Sequence, residues 1–202
     1  MQAIILAGGL GTRLRSVVSD RPKPMALVEG KPFLEYVLQG LKKSGIDDII
    51  FAVGYKGGMV EEYFGDGSRF GIRARYAYEE ELLGTAGAIK NAGKYVTDEQ
   101  FFVLNGDTFY QMDFGDLSRV QQEKNLEMAL VLRGVPDISR YGAARLTDGL
   151  LTAFNEKNGN TGAGTINGGV YLMKRALLHE SEPNLLKHIY HIVFRRNYIG
   201  QL

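Results

Sequence analysis

The sequence predicts an α/β protein: a doubly wound, mostly parallel sheet with an antiparallel C-terminal extension. Three observations carry this expectation. Short apolar runs, too brief for helices, alternate with stretches whose apolar residues recur at helical spacing. The first of these runs opens the chain and ends at once in a glycine-rich turn. From Met128 onward the helical patterns give way to strand-like runs separated by short turns.

Taken in order, Ala3-Ile4-Ile5-Leu6-Ala7 reads as a buried strand, because it is short and rich in isoleucine. Gly8-Gly9-Leu10-Gly11-Thr12-Arg13-Leu14 follows, where glycines let backbone approach a ligand and leave amides free for an anion. Lys23 lies between Pro22 and Pro24, which should hold it on a stiff, non-helical segment. Residues 26–31 read as a turn. Pro32 then opens an amphipathic helix with apolar residues at 33, 34, 37, 38 and 41, stopped by Gly45. Ile49 to Gly54 is the next buried strand, 57–64 a short helix, and Arg73 to Tyr78 a strand with one wet face. Glu79-Glu80-Glu81 reads as a mostly solvated acidic segment, and a helix over 84–94 has Thr85 as its candidate cap. Phe101 to Leu104 is a further buried strand running into Asn105-Gly106-Asp107-Thr108. Strand-like runs at 128–133, 143–146, 150–154 and 166–172 form the antiparallel extension. In the tail, Leu185, Leu186, Ile189, Ile192 and Val193 recur at helical spacing, so residues 179–202 are expected to be an atypical, helical segment after a domain spanning 1–178.

Composition narrows the function. A chain of 202 residues is long enough for one domain with a substantial core. A net charge of +1 argues against a nucleic-acid surface, which is usually strongly basic. With no cysteine there is neither a disulfide nor a thiolate metal site, which suits the cytoplasm. No apolar run reaches membrane-spanning length, and the opening strand follows no basic leader of the signal-peptide kind. Of the three histidines, His179, His188 and His191, the last two lie three apart on a possible helix, but no third ligand accompanies them to make a metal site.

In a doubly wound sheet the ligand binds beyond the carboxyl ends of the strands, where both the glycine loop and Asp107 fall. A glycine turn with Arg13 and Lys23 nearby describes a polyphosphate cradle, set against the plainer reading of a glycine-rich strand-to-helix turn. A Walker loop would need Gly-Lys-Ser/Thr, and here Gly11 is followed by Thr12-Arg13. The dinucleotide fingerprint would need a third glycine where Leu14 stands. Asp107, just past a buried strand, suits Mg²⁺, which takes one or two protein oxygens and completes its shell with phosphates and water. An ordinary Asn-Gly-Asp turn is the alternative.

Residues 8–25 resemble the signature GGxGTRLxxxTxxxPKPM of the sugar-1-phosphate nucleotidyltransferases, from which they depart in the middle. The resemblance covers roughly residues 1–178 and takes in Leu83-Gly84-Thr85-Ala86, Tyr141-Gly142, Glu156-Lys157 and Asn167-Gly168-Gly169-Val170-Tyr171. Val18-Ser19-Asp20, the turn Gly30 to Glu35, Tyr63 to Gly67 and Val135 to Gly142 resemble, within that family, the guanylyltransferases acting on heptose 1-phosphate. Leu82 and Leu27 stand where relatives often carry proline.

The resemblance implies a Rossmann-like nucleotidyltransferase sheet and the reaction of an NTP, GTP favoured, with a sugar 1-phosphate to give NDP-sugar and pyrophosphate. Such products feed lipopolysaccharide, capsule or S-layer glycans. The sugar phosphate oxygen would attack the α-phosphorus in line with departing pyrophosphate, so catalysis would be positioning and charge neutralisation, with no general base. Arg13, Lys23 and Asp107 would be catalytic, with Mg²⁺ on Asp107. Leu6, Ala7, Gly8, Gly9, Gly11, Thr12, Arg13, Lys23, Gly84, Thr85, Asn105 and Gly106 would hold the nucleotide. Gly142, Glu156, Lys157, Asn167 and Gly168 would hold the sugar phosphate. The partners are these two small molecules, and self-association into a homo-oligomer is open. Relatives carry a second metal-binding aspartate beyond the Asn-Gly-Gly-Val-Tyr segment, and this chain has no Asp after Asp148. That departure implies weaker metal binding and low turnover, and it leaves a weakly catalytic nucleotide-sugar binding or regulatory subunit as the alternative.

Overall fold

The structure is a computed structural model that describes residues 1–9, 20–147, 150–155, 161–179 and 193–195. Its central sheet begins with β1 (Gln2–Leu6), which pairs in parallel with β4 (Asp48–Val53) on one side and β6 (Gln100–Asn105) on the other. Beyond β4 lies β5 (Arg73–Tyr78), also parallel. Beyond β6 the direction reverses: β10 (Gly164–Lys174) runs antiparallel to β6 and to β7 (Met128–Val135). Two further strands, β8 (Ala143–Thr147) and β9 (Leu150–Asn155), form a hairpin attached through β8 to β10. A mostly parallel half and an antiparallel half thus share one sheet. The short hairpin β2 (Leu27–Val28) and β3 (Lys31–Pro32) stands apart, turned by Glu29 and Gly30 at positive φ.

Alternation along the strands separates two cores. Ala3, Ile5 and Ala7 face α1 (Phe33–Lys43), α2 (Gly57–Phe64) and α4 (Phe114–Glu123), in a cluster with Leu34, Leu38, Phe51 and Leu117. Ile4 faces the other way, toward α3 (Gly84–Gly93), with Ala88, Ile89, Ala92 and Val103. Helices cover both faces, as a buried parallel sheet requires.

Four local expectations are corrected. The Pro22–Pro24 segment is not free of helix: Lys23–Met25 form one 3-10 turn, with Met25 N donating to Pro22 O at 2.8 Å. Proline tolerates this because a helix's first residues need no amide partner. Thr85 does not cap α3. The cap position is Leu83, without a side-chain bond, and Gly84 at φ 68° makes the entry turn that an L side chain resists. Helix α4 lies where no helix was expected. Only Phe114, Leu117 and Gln121 of its ten residues are buried, so its apolar stripe is thin, and Asp113 starts it by accepting from Gly115 N at 2.8 Å. In the tail, Val193–Arg195 form β11, parallel to β7, where helical spacing had included Val193. The remaining tail residues, 180–192 and 196–202, with the expected helix, lie outside the described residues.

At the amino ends of the strands, a polar cluster ties β1, β4 and β5 together. The Gln2 side chain donates to Asp48 Oδ2 (3.1 Å) and Tyr95 O (3.1 Å), and accepts from the amides of Thr97 and Asp98. Arg73 and Arg75 each donate to Asp48 at 2.5 Å. Burial pushes the Asp48 carboxyl up, but the bonds from Arg73 and Arg75 outweigh it and hold the group below the usual carboxylate range. A carboxyl lowered on folding adds stability above its unfolded pKa, near ~3.9, and loses it as pH falls through the depressed native value. Asp48→Asn is therefore expected to lower neutral-pH stability by about 1–3 kcal/mol and to flatten the acid limb below about pH 4. Urea unfolding midpoints measured from pH 7 to 2 check both.

Candidate active site

The carboxyl ends of β1, β5 and β6 open onto one cleft of about 330 Å³, within the range of small-molecule sites. Its lining includes Leu6, Ala7, Gly8, Gly9, Lys23, Gly84, Thr85, Asn105 and Asp107. Eight of the residues expected from sequence to hold nucleotide, together with Asp107, are thus brought together from four separate segments.

Each is placed by a local cause. Leu6 and Asn105 are register partners at the ends of β1 and β6, so the glycine loop and the Asn-Gly-Asp turn leave the sheet side by side. Gly106 sits beneath them and donates to Leu6 O at 2.9 Å. A Cβ on Gly106 would lie 2.9 Å from Leu6 O and 3.2 Å from Pro24 Cγ. The turn carrying Lys23 is thereby packed directly against the turn carrying Asp107. The result is an ion pair: Lys23 Nζ donates to Asp107 Oδ2 at 2.6 Å, with the two side chains 22% and 36% exposed. Asp107 Oδ1 accepts from Thr108 Oγ1 at 3.3 Å.

Asn167 and Gly168 lie on β10, where the pairing with β7 shifts register between Asn167 and Tyr171. Asn167 shapes this bulge by accepting from Gly169 N (2.8 Å) and donating to Tyr171 Oη (2.6 Å). Gly169, at φ 75°, lies so close to the Asn105 amide that a Cβ there would overlap it. The bulge consequently abuts the cleft through Asn105. Gly142 directly precedes β8, whose Ala143 pairs with Ile166. Gly11, Thr12, Arg13, Glu156 and Lys157 lie outside the described residues.

Sequence reasoning missed Pro24, Glu79, Leu82 and Ala88 in the cleft lining, and of these only Glu79 is ionisable. Glu80 and Glu81 are exposed as expected, but Glu79 turns inward and lines the cleft. A Cβ on Gly8 would lie 2.9 Å from its Oε1, and its Oε2 accepts from Leu83 N at 3.4 Å. Burial raises its carboxyl above the ordinary value, with the Leu83 amide opposing. The available signal was position: Glu79 directly follows β5, on the same rim as Gly8 and Asp107. Along the sheet, β5 and β6 are three strand steps apart, roughly 14 Å. The cleft therefore has a Lys23–Asp107 side and a Glu79–Leu82 side.

Among the described residues no group of three or more His, Cys, Asp or Glu side chains could hold a metal. A single strand-end carboxylate does fit Mg²⁺, which relies on substrate phosphates and water for most of its shell. The Lys23 ammonium at Asp107 shows that this carboxylate already receives a cation.

A strand-end glycine loop beside an Asn-Gly-Asp turn, both opening onto one cleft of about 330 Å³, is the arrangement of an enzyme that handles nucleoside polyphosphates. The chain belongs to the nucleotidyl transferase family, whose model matches residues 2–190. It is 45% identical to the D-glycero-alpha-D-manno-heptose 1-phosphate guanylyltransferase of Aneurinibacillus thermoaerophilus over 177 residues, 88% of this chain and 76% of that protein. It is also 45% identical to the enzyme of that name from Campylobacter jejuni, over 89% of this chain and 79% of that one. The crystal structure of HddC from Yersinia pseudotuberculosis superposes with a TM-score of 0.81 at 32% identity, covering 97% of this chain and 89% of that one. The same protein has been solved complexed with GMP-PN, again at a TM-score of 0.81. No helix among the described residues is long and apolar enough to cross a membrane.

Proposed function

We propose that this chain is a Mg²⁺-dependent, cytoplasmic guanylyltransferase that joins GTP to a heptose 1-phosphate, giving GDP-heptose and pyrophosphate. The observation that carries the reading is the cleft itself, which gathers Gly8, Gly9, Lys23, Asn105 and Asp107 at the strand ends. Identity at the 45% level to two heptose 1-phosphate guanylyltransferases supports the substrate pair.

In this reading Lys23, with Arg13, binds the triphosphate and neutralises the charge that moves onto pyrophosphate. Asp107 holds the metal, which when bound screens the repulsion between the two polyanions. Gly8 and Gly9 leave room and amides for phosphate oxygens. Lys157 and Glu156 seat the sugar phosphate and a sugar hydroxyl, roles shared with Asn167 and Gly168. No side chain is asked to act as a base, because the sugar phosphate is already an anionic nucleophile.

Glu79 belongs to base choice. A carboxylate only accepts hydrogen bonds, so it suits the N1–H and amino group of guanine and disfavours bases presenting acceptors there. Glu79→Gln, which keeps the shape and adds a donor, is expected to cut the GTP preference in kcat/KM by about 10–100-fold. Pyrophosphate release measured with four NTPs, heptose 1-phosphate and Mg²⁺ tests both levels. No release with any NTP would overturn the enzymatic reading, and an unchanged GTP preference in Glu79→Gln would overturn the base assignment alone.

A further inference from the structure

The Lys23–Asp107 pair joins two groups to which the proposed reaction gives different partners. Lys23 is to meet phosphate, and Asp107 is to meet a divalent cation. In the structure they satisfy each other at 2.6 Å. We propose that this pair is an exchange latch: Lys23 occupies the metal's carboxylate until a triphosphate draws it away, so that metal and nucleotide bind as a coupled pair. The inference rests on the functional reading above and deepens it.

The surrounding structure permits such an exchange without backbone motion. The Lys23 turn is closed by Met25 N to Pro22 O and Ala26 N to Lys23 O, and Pro24 is pressed against Gly106. Pro24 and Met25 are buried, which anchors the turn, whereas the Lys23 side chain is partly open to the cleft. A lysine stem has four rotatable bonds and an ammonium that accepts partners from many directions. Swinging that side chain is therefore the low-cost motion, and moving Asp107 is not, because its turn is fixed to Leu6 through Gly106 N.

Electrostatics gives the exchange its direction. An ammonium and a divalent cation repel at the distances that sharing one carboxylate imposes. In the structure Lys23 is the cation in place. A bound triphosphate offers Lys23 a larger anionic charge and supplies oxygens that Asp107 alone cannot. Lys23 then relieves the carboxylate and adds its charge to the nucleotide. Coupling of this kind is reciprocal: each ligand raises the affinity of the other by the same factor.

That factor is the test. Mn²⁺ binding is measured by electron paramagnetic resonance for the full chain, alone and with a non-hydrolysable GTP analogue, after correction for Mn²⁺ held by free nucleotide. In the unaltered protein Mn²⁺ alone should bind weakly and the analogue should tighten it strongly. Lys23→Met keeps the stem and removes the charge. It should tighten Mn²⁺ binding to the nucleotide-free protein by about tenfold and shrink the coupling factor correspondingly. A lysine that is merely a nearby static charge would weaken Mn²⁺ alike in both states, so an unchanged coupling factor in Lys23→Met overturns the latch. Asp107→Asn serves as the second arm and should lose Mn²⁺ in both states, with circular dichroism showing that each variant is folded. Retention of nucleotide-dependent Mn²⁺ by Asp107→Asn would instead overturn the metal assignment itself, and the latch with it.

Discussion

Asp107→Asn is expected to reduce pyrophosphate release by about 10³-fold while leaving the melting temperature nearly unchanged. The substitution keeps the size of the side chain and removes its charge. Asp107 sits at the carboxyl end of β6 on a turn fixed by backbone bonds, and its side chain is 36% exposed. Losing a partly exposed partner for Lys23 should cost at most about 1 kcal/mol of stability. The chemistry, in contrast, depends on a carboxylate at that place, because no group of three or more potential ligands exists among the described residues to replace it. Pyrophosphate assays beside a thermal melt separate the two effects. Near-normal release would remove Asp107 from the reaction.

Lys23→Ala and Lys157→Ala should fail in different ways. Lys23 faces charge that shifts from the α-phosphorus toward pyrophosphate, an interaction stronger in the transition state than in the bound substrate. Its loss should lower kcat by about 10²–10³-fold. Lys157 is assigned to the incoming sugar phosphate, whose charge is present from the start, so its loss should act chiefly on the KM for that substrate. Steady-state kinetics with each substrate varied in turn distinguish these outcomes. If Lys157→Ala changed the KM for GTP alone, the division of the site into two halves would be wrong.

How much of this was legible in the sequence depended on how strongly each segment was patterned. The apolar runs at β1, β4 and β6 are buried on both faces and read as strands at once. The boundaries of α2 and β5 matched those expected, residue for residue. Helix α4 escaped because Phe114 and Leu117 are its only buried apolar side chains, a stripe too thin to show a period. Cleft membership of Gly8 and Asp107 followed from their places after strands, since turns after parallel strands must emerge on one rim, whereas that of Lys23 came from the resemblance carried by its Pro-Lys-Pro-Met segment. The inward turn of Glu79 was legible only from its place directly after β5, and not from the acidic run itself. A run of three glutamates carries no information about which one the chain folds toward the cleft. Likewise the Lys23–Asp107 bond spans 84 positions of sequence and depends on Pro24 packing over Gly106, a contact no local pattern encodes.

The cluster of Gln2, Asp48, Arg73 and Arg75 lies at the opposite end of the strands from the cleft. Five residues of β1 separate the two, roughly 17 Å. Substitutions that far apart act almost independently on folding. The molecule is in effect divided into a structural anchor and a ligand-facing margin, which matters for anyone wishing to redirect it. Libraries at Glu79, Leu82 and Thr85 could explore other bases or analogues without eroding the anchor. The same library spread over Gln2 and Asp48 would return mostly destabilised chains.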